Sequence, residues 1–305
     1  MEIVFGDLSL GVRKGDTSYI FAYNLGGLDS LSKNGREYLY RVPSLAFWRA
    51  TTDNDRGNGF SRKSALWMGA DSFSSVEGYS VSINGKEIPQ HLLIAPGNNE
   101  LLHSDLREGD EVSIGFSFST CTSPKAGVTV RYTLSESEEG LRVDYSYNGV
   151  PGLPELPVCG LRFMLPFITD SFEWDGLSGE TYPDRLFGAE NGHYRTEGMP
   201  LCPYAMVQEY GMHMHTEMLE IRSRERLLIL KAADDKGFSF SLLPASPLAL
   251  ENAYHNIDIG RPRYSYLTVA AGVRGVGGID SWGSDVGEAY HLDASKSYSV
   301  SFIVI

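Results

Sequence analysis

Cysteine is scarce in this 305-residue chain: three are present, Cys121, Cys159 and Cys202. Their odd number, wide spacing and lack of a CxxC pair exclude a disulfide framework and a zinc knuckle, and predict buried free thiols. Positive charge is also short, with 26 Lys+Arg against 39 Asp+Glu and a formal net charge of −13. No basic block is interleaved with aromatics, so the composition speaks against a nucleic-acid partner and against an anionic membrane surface. Nowhere do ~18 apolar residues run consecutively, and the opening segment carries Glu2 and Asp7 in place of a basic region and an apolar run. Neither a membrane span nor a signal peptide is expected, and the cytoplasm is the expected compartment. Helix signals are few. One short helix over Ser61–Gly69, with Ser61 as its N-cap, is predicted.

What is abundant is strand and turn chemistry, with 33 Gly, 17 Tyr and 14 Phe. Period-2 alternation is cleanest at Val112, Ile114, Phe116 and Phe118, then at Val128, Val130, Tyr132 and Leu134, then at Leu141, Val143, Tyr145 and Tyr147. Joined in the latter case by the acidic turn Glu136–Gly140, these segments predict an antiparallel meander. Tyr298, Val300, Phe302 and Val304 alternate likewise, and Ile303 breaking the polar face predicts that this last strand is well covered. Tyr19–Tyr23, Tyr38–Val42, Thr216–Arg222, Leu227–Ala232 and Phe238–Leu242 are further expected strands. One-sided strands must bury their apolar faces against another layer, so the pattern predicts an all-β, antiparallel sandwich forming a single domain over residues 1–305.

The loop Thr52-Asp53-Asn54-Asp55-Arg56-Gly57-Asn58-Gly59 has the carboxylates and glycines that calcium uses, but its EF-hand spacing fails at Asn58 and Ser64. It reads as an Asx-rich loop. His213 and His215 are placed for one side of a strand, yet no third metal ligand is indicated. His193, His255 and His291 have no partner that spacing alone can identify. Gly275-Val276-Gly277-Gly278 lacks the spacing and following helix of a phosphate loop and reads as a turn between strands. Trp282, in the Gly/Ser/Asp-rich stretch that follows, has two readings: a sugar-stacking side chain on a binding loop, or a Trp folded back onto the sandwich. No nucleophile elbow, HExxH or Walker loop is present, and no carboxylate pair stands out.

Four segments carry a resemblance over roughly residues 10–305. They are Phe47 to Gly57 (FWRATTDNDRG), Gly179 to Arg185 (GETYPDR), Pro203-Tyr204 with Gln208-Glu209, and Gly275 to Gly278 running into Ser281-Trp282. In order and spacing they resemble the C-terminal small-chain domain of the bacterial β-galactosidases of glycoside hydrolase family 2. The chain departs from that pattern at Met212–Thr216, which follows Tyr210-Gly211, and at Ile279-Asp280.

The resemblance implies an antiparallel supersandwich of the galactose mutarotase-like kind. It implies that a chain of this length beginning with Met is the small subunit of a two-chain β-galactosidase that hydrolyses terminal β-D-galactosides such as lactose. The large subunit would carry the TIM barrel with both catalytic glutamates, and also the Mg²⁺ and Na⁺ sites, leaving this chain with no catalytic residue, metal or cofactor of its own. By the resemblance Trp282 stacks on the aglycone sugar, and Arg49, Asp53, Asn54, Asp55, Tyr182, Asp184 and Arg185 hold loops and inter-subunit contacts. Two alternatives stay open: a stand-alone aldose 1-epimerase using a His such as His255 or His291 with a Glu, and a non-catalytic carbohydrate-binding or assembly module.

Overall fold

The computed structural model describes residues 1–101, 104–280 and 283–305. Its strands form three sheets, and every pairing among the described strands is antiparallel. The largest has ten strands in the order Asn191–Glu197, Ser171–Leu177, Met218–Ser223, Arg226–Ala232, Tyr298–Val304, Leu141–Asn148, Gly127–Ser135, Glu111–Ser119, Ser75–Ile83 and Lys86–Glu87. A five-stranded sheet is built from Met212–Thr216, Phe238–Leu243, Ser265–Val273, Val158–Leu165 and Ser44–Ala46. Another five strands, all between Glu2 and Glu37, form an N-terminal sheet in chain order.

Alternation explains the large sheet. In the register Val130↔Phe116, Tyr132↔Ile114, Val143↔Phe302 and Tyr145↔Val300 the apolar side chains of neighbouring strands fall on one face, and all of them are buried. Both smaller sheets cover that face. Phe302 meets Phe163 and Phe238 of the five-stranded sheet at ring-centroid distances of 6.1 and 6.3 Å, while Phe21 of the N-terminal sheet meets Tyr132 at 5.4 Å. The resulting apolar cluster runs from Ile3 to Val304. The last strand lies between Arg226–Ala232 and Leu141–Asn148, with Ile303 half-buried, in accord with the second apolar face of its sequence.

The strand Val158–Leu165 is buried almost throughout, because the five-stranded sheet is covered on both sides. Leu161, Phe163 and Leu165 face the main core. Val158 belongs instead to a satellite cluster with Tyr182, Met212, Ala270 and Val273. Loops close over this second face, and they carry the described residues of the four resembling segments.

Several local expectations are corrected. Tyr38–Val42 is not a strand: Glu37 Oε1 accepts hydrogen bonds from the N–H groups of Leu31, Tyr38 and Leu39, and consecutive Tyr38 and Leu39 are both buried, which a strand with one wet face does not permit. Thr216–Arg222 divides at Glu217, where the chain leaves the five-stranded sheet for the ten-stranded one after a bulge at which His215 takes φ 53°. The helix expected at Ser61–Gly69 is two short pieces, Phe60–Lys63 and Ala65–Trp67, and the N-cap is Gly59 with φ 80° because Ser61 lies inside the first turn. Asp53–Gly57 is a helix where an Asx-rich loop was expected. Gly275–Gly278 opens the long connection from Ser265–Val273 to Tyr298–Val304 and does not turn directly between paired strands. Of the three free cysteines, Cys159 and Cys202 are buried as expected but Cys121 is exposed.

Because Phe302 joins two sheets and is fully buried, Phe302→Ala should lower unfolding stability by ~3–5 kcal/mol, read from urea denaturation. Ile20→Thr, on the outer face of the N-terminal sheet, should stay within ~0.5 kcal/mol of wild type.

Candidate functional site

The covered second face of the five-stranded sheet is organised by one buried carboxylate. Thr52 caps the Asp53–Gly57 helix through a reciprocal box: Asp55 N–H donates to Thr52 Oγ1 at 3.1 Å and Thr52 N–H donates to Asp55 Oδ2 at 2.9 Å. This fixes Asp55 pointing inward, at 0% exposure. Arg49 then donates from Nη1 to Oδ2 at 2.7 Å and from Nη2 to Oδ1 at 3.4 Å, a two-point fork. Arg274 reaches Oδ1 from the other side at 3.1 Å. Burial by itself would lower the Arg49 pKa, but Asp55 and Glu209 more than reverse this and hold the guanidinium above the ordinary arginine value.

Arg274 has the wider reach. It is completely buried, donates from Nε to Glu155 Oε1 at 3.0 Å, pairs with Asp285, and lies 3.9 Å from the centroid of the Phe60 ring. Both arginines also donate to the Gly275 carbonyl, at 3.2 and 3.4 Å. The helix, the Pro-rich segment around Glu155 and the loop after Val273 are therefore joined through two guanidinium groups.

Around this centre the remaining segments close in. Asp184 accepts from the backbone N–H of Val276 at 3.0 Å and of Gly277 at 2.7 Å, Arg185 donates to the Gly277 carbonyl, and Asn54 Nδ2 donates to the Val276 carbonyl at 2.9 Å. Gln208 Oε1 accepts from Asp53 N–H at 2.8 Å, and Tyr182 Oη donates to Glu209 Oε1 at 3.4 Å. Two glycines permit the closeness. At Gly278, with φ 82°, an added Cβ would sit 2.9 Å from Asn54 Nδ2; at Gly283, also with φ 82°, it would sit 2.8 Å from the Gly57 carbonyl carbon.

Arg49, Asp53, Asn54, Asp55, Tyr182, Asp184 and Arg185 are thus brought into one contact network. Trp282 lies outside the described residues. Gly277 before it and Asp285 after it are anchored to this network. Sequence reasoning missed Arg274, Glu155, Glu180 and Asp285. A basic residue directly before a glycine run was the one signal for Arg274, and nothing in the Pro-rich segment marked Glu155.

A cavity of about 260 Å³ opens beside the network, lined by Asp53, Asn54, Glu180, Arg185, Tyr204 and Glu209 among others. Burial raises the Glu180 carboxyl and pushes Glu209 up to about 7; it also drives the Tyr182 phenol well above its usual value. Such a cavity offers hydrogen bonds and negative charge. Among the described residues no nucleophile with an adjacent base lines it.

The histidines take other places. His213 is buried at 4.4 Å from the Trp174 ring and 4.8 Å from Phe240, and burial lowers its pKa to about 4, so it is neutral at pH 7. His215 is exposed beyond the bulge. His193 pairs with Asp175 at 2.7 Å on the ten-stranded sheet. His255 belongs to the cap of the short turn Asn256–Ile259. His291 does meet a glutamate, donating or accepting at 2.6 Å with Glu155, but the same carboxylate oxygen already holds Arg274 and the Leu292 N–H. Among the described residues no three His, Cys, Asp or Glu side chains are grouped to hold a metal ion.

Comparison with known proteins places these segments in context. The family model described as Beta galactosidase small chain matches residues 13–304. The beta-galactosidase small subunit of Latilactobacillus sakei is 43% identical, over 99% of this chain and 96% of its own length. The beta-galactosidase of Streptococcus thermophilus is 29% identical over 100% of this chain, which spans 27% of that longer protein. Among solved structures, a galactose mutarotase related enzyme from Lactobacillus acidophilus aligns with a TM-score of 0.44 at 11% identity, covering 97% of this chain and 96% of its own. A putative aldose 1-epimerase from Escherichia coli K12 aligns at 0.43 and 12% identity, covering 97% and 98%.

Two outcomes follow from the geometry. Arg274→Met leaves three carboxylates facing a site that has lost their shared cation, so it should cost ~3–5 kcal/mol in urea unfolding and speed proteolysis within residues 275–290. For Glu209, a native pKa of about 7 against an ordinary 4.5 means that the native state holds the proton more tightly. Its contribution to stability is complete below pH 4.5 and lost as pH rises through 7. Glu209→Gln should therefore gain stability relative to wild type as the pH of the urea titration is raised from 5 to about 8.

Proposed function

This chain belongs to the β-galactosidase small-chain family, and from that premise we propose that it is the small subunit of a two-chain, retaining β-galactosidase acting on terminal β-D-galactosides such as lactose. The observation that carries this reading is the end-to-end 43% identity to a chain that is itself a small subunit of matching length. Segments of similar size are one part of the longer relatives. The large subunit supplies two glutamates, one as acid and base and one as nucleophile, and it holds the Mg²⁺ and Na⁺ of the glycoside hydrolase family 2 pattern. The assembled enzyme works in the cytoplasm; consistent with this, no helix among the described residues is long and apolar enough to cross a membrane.

In this reading the small subunit shapes the aglycone side of the active site. Trp282 supplies a broad apolar face with one N–H donor, suited to the C–H face of a pyranose such as the glucose of lactose. Support for that placement comes from the anchoring of its loop: Asp184, Arg185 and Asn54 hold Val276 and Gly277, and Arg274 with Asn58 holds Asp285. A loop tethered on both sides presents a side chain at lower entropic cost than a free one. Arg49, Asp53, Asp55 and Tyr182 hold the helix and loops beneath it. They touch no substrate and transfer no proton.

Gentle affinity purification of the tagged chain from its own host should bring down a larger second chain together with β-galactosidase activity; recovery of the chain alone and inactive would contradict the reading. In the assembled enzyme, Trp282→Ala should raise the KM for lactose several-fold, corresponding to ~1 kcal/mol of lost stacking. Hydrolysis of an aryl galactoside should change less. An unchanged lactose KM would remove Trp282 from the aglycone site.

A further inference from the structure

The loops that the Asp53–Gly57 helix ties together expose far more apolar surface than their polar anchoring requires. Phe187, Leu201, Tyr204, Tyr254, Ile257 and Ile279 are 107, 70, 46, 69, 86 and 71% exposed. Hydrogen bonds link the segments that carry them: Val207 N–H donates to the Tyr254 carbonyl at 3.1 Å, Asn256 Nδ2 donates to the Cys202 carbonyl at 2.9 Å, and Arg185 donates to the Gly277 carbonyl. Large exposed side chains gathered on connected loops mark an interaction surface, whereas single ones scattered over a molecule do not. Val4, Leu8, Ile20 and Leu25 on the N-terminal sheet and its turns are also exposed, but of the six most exposed large apolar side chains among the described residues all except Phe73 lie on the linked loops.

The cavity of about 260 Å³ lies within these loops, and Tyr204 belongs to both. Three of its lining residues are acidic, Asp53, Glu180 and Glu209, and Arg185 is its cation. Arg185 is already spent on the carbonyls of Asp184 and Gly277. Asp53 is paired with Arg56 at 3.1 Å, and Glu209, 5% exposed, takes a weak bond from the Tyr182 hydroxyl at 3.4 Å and faces the charges of Arg49 and Arg162. Glu180 receives the Gly211 N–H at 2.7 Å. Glu180 has no ion pair among the described residues, so this buried carboxylate is in want of a positive charge. An acidic pocket ringed by apolar side chains is the anatomy of a receptor for an anchoring side chain, kept dry by its rim.

We propose that these loops form the docking face for the large chain, and that the acidic pocket takes a lysine or arginine side chain from it. The inference rests on the two-chain reading above. Its occupant is set by two observations: charge complementarity, since the buried Glu180 carboxylate has no ion-pair partner among the described residues and selects a cation, and chain length, since the matching segment in Streptococcus thermophilus makes up 27% of one protein and must pack against the remainder. On this chain the connected apolar loops are the surface equipped for that contact. The rim supplies apolar area, and the pocket supplies orientation and registry.

The test titrates this chain against its cognate large chain and follows complex formation. Leu201→Glu with Ile257→Glu should weaken association ~100-fold while leaving the thermal melt of the free chain in place. Phe187→Glu, on a separate segment, should act in the same direction. Asp53→Asn with Glu180→Gln should weaken association ~10-fold and flatten its dependence on salt, which loss of apolar area alone would not do. Ile20→Glu, on the N-terminal sheet, should bind as wild type. Rim variants that bind within twofold of wild type, or an Ile20→Glu variant that binds as poorly as they do, would overturn the docking face. Unaltered affinity and salt dependence in the pocket variant would overturn the cationic anchor. A wild-type chain that fails to bind the large chain would instead count against the two-chain reading itself.

Discussion

Asp55 is the residue on which the functional end of this molecule depends. Its carboxylate is fully buried between Arg49 and Arg274, and each oxygen is occupied by a guanidinium. Taking these charges out of water is costly, and a set of well-packed apolar residues could serve stability as well. What apolar residues could not do is fix direction. A carboxylate held by its own helix cap, with one arginine on each side, admits a single arrangement of the segments that supply the three groups. Removing any one partner leaves a buried charge uncompensated, so the arrangement is cooperative.

The fold creates the need for such a centre. A ten-stranded sheet buries one face under two smaller sheets, and the five-stranded sheet thereby has a second face to cover. Strand Val158–Leu165 meets the main core with one set of side chains and the loop layer with the other, where Arg162 pairs with Asp71 and donates to the Trp48 carbonyl at 2.8 Å. Irregular backbone lying over a sheet carries many N–H and C=O groups that the strands cannot satisfy. The carboxylates of Asp184, Glu180 and Asp55 and the guanidinium groups of Arg49, Arg162, Arg185 and Arg274 take up those groups. The polar network is therefore the means by which loops, rather than helices, close this side of the sandwich.

The sheets were legible in the sequence because half-buried strands alternate, and the meander Glu111–Asn148 and the last strand are found where alternation puts them. Tyr38–Val42 misled because its apolar residues are buried by a carboxylate-tied turn, and pattern alone does not distinguish the two causes of burial. The Asp53–Gly57 helix was hidden since its five residues include two Asp, an Asn and a Gly, poor helix formers that persist through the cap and the Arg49 contact. The seven motif residues were recognisable as a set through family resemblance. Their convergence required the register of strands far apart in the chain. Arg274 escaped notice for the same reason: two of its partners, Asp55 and Glu155, come from distant segments, and Asp285 follows it in the same connection.

Such a site holds, orients and covers, and its residues do not form an acid, base and nucleophile set on their own. This suits the proposed role, in which the subunit contributes the shape of one side of a shared active site. The most direct measurement is reconstitution: titrate the purified chain into a fixed amount of its cognate large chain and follow lactose hydrolysis. Activity should be low with either chain alone and should rise to a plateau at a fixed ratio of the two. A large chain already fully active alone, or a mixture that stays inactive while the two chains are shown to be bound, would contradict the account.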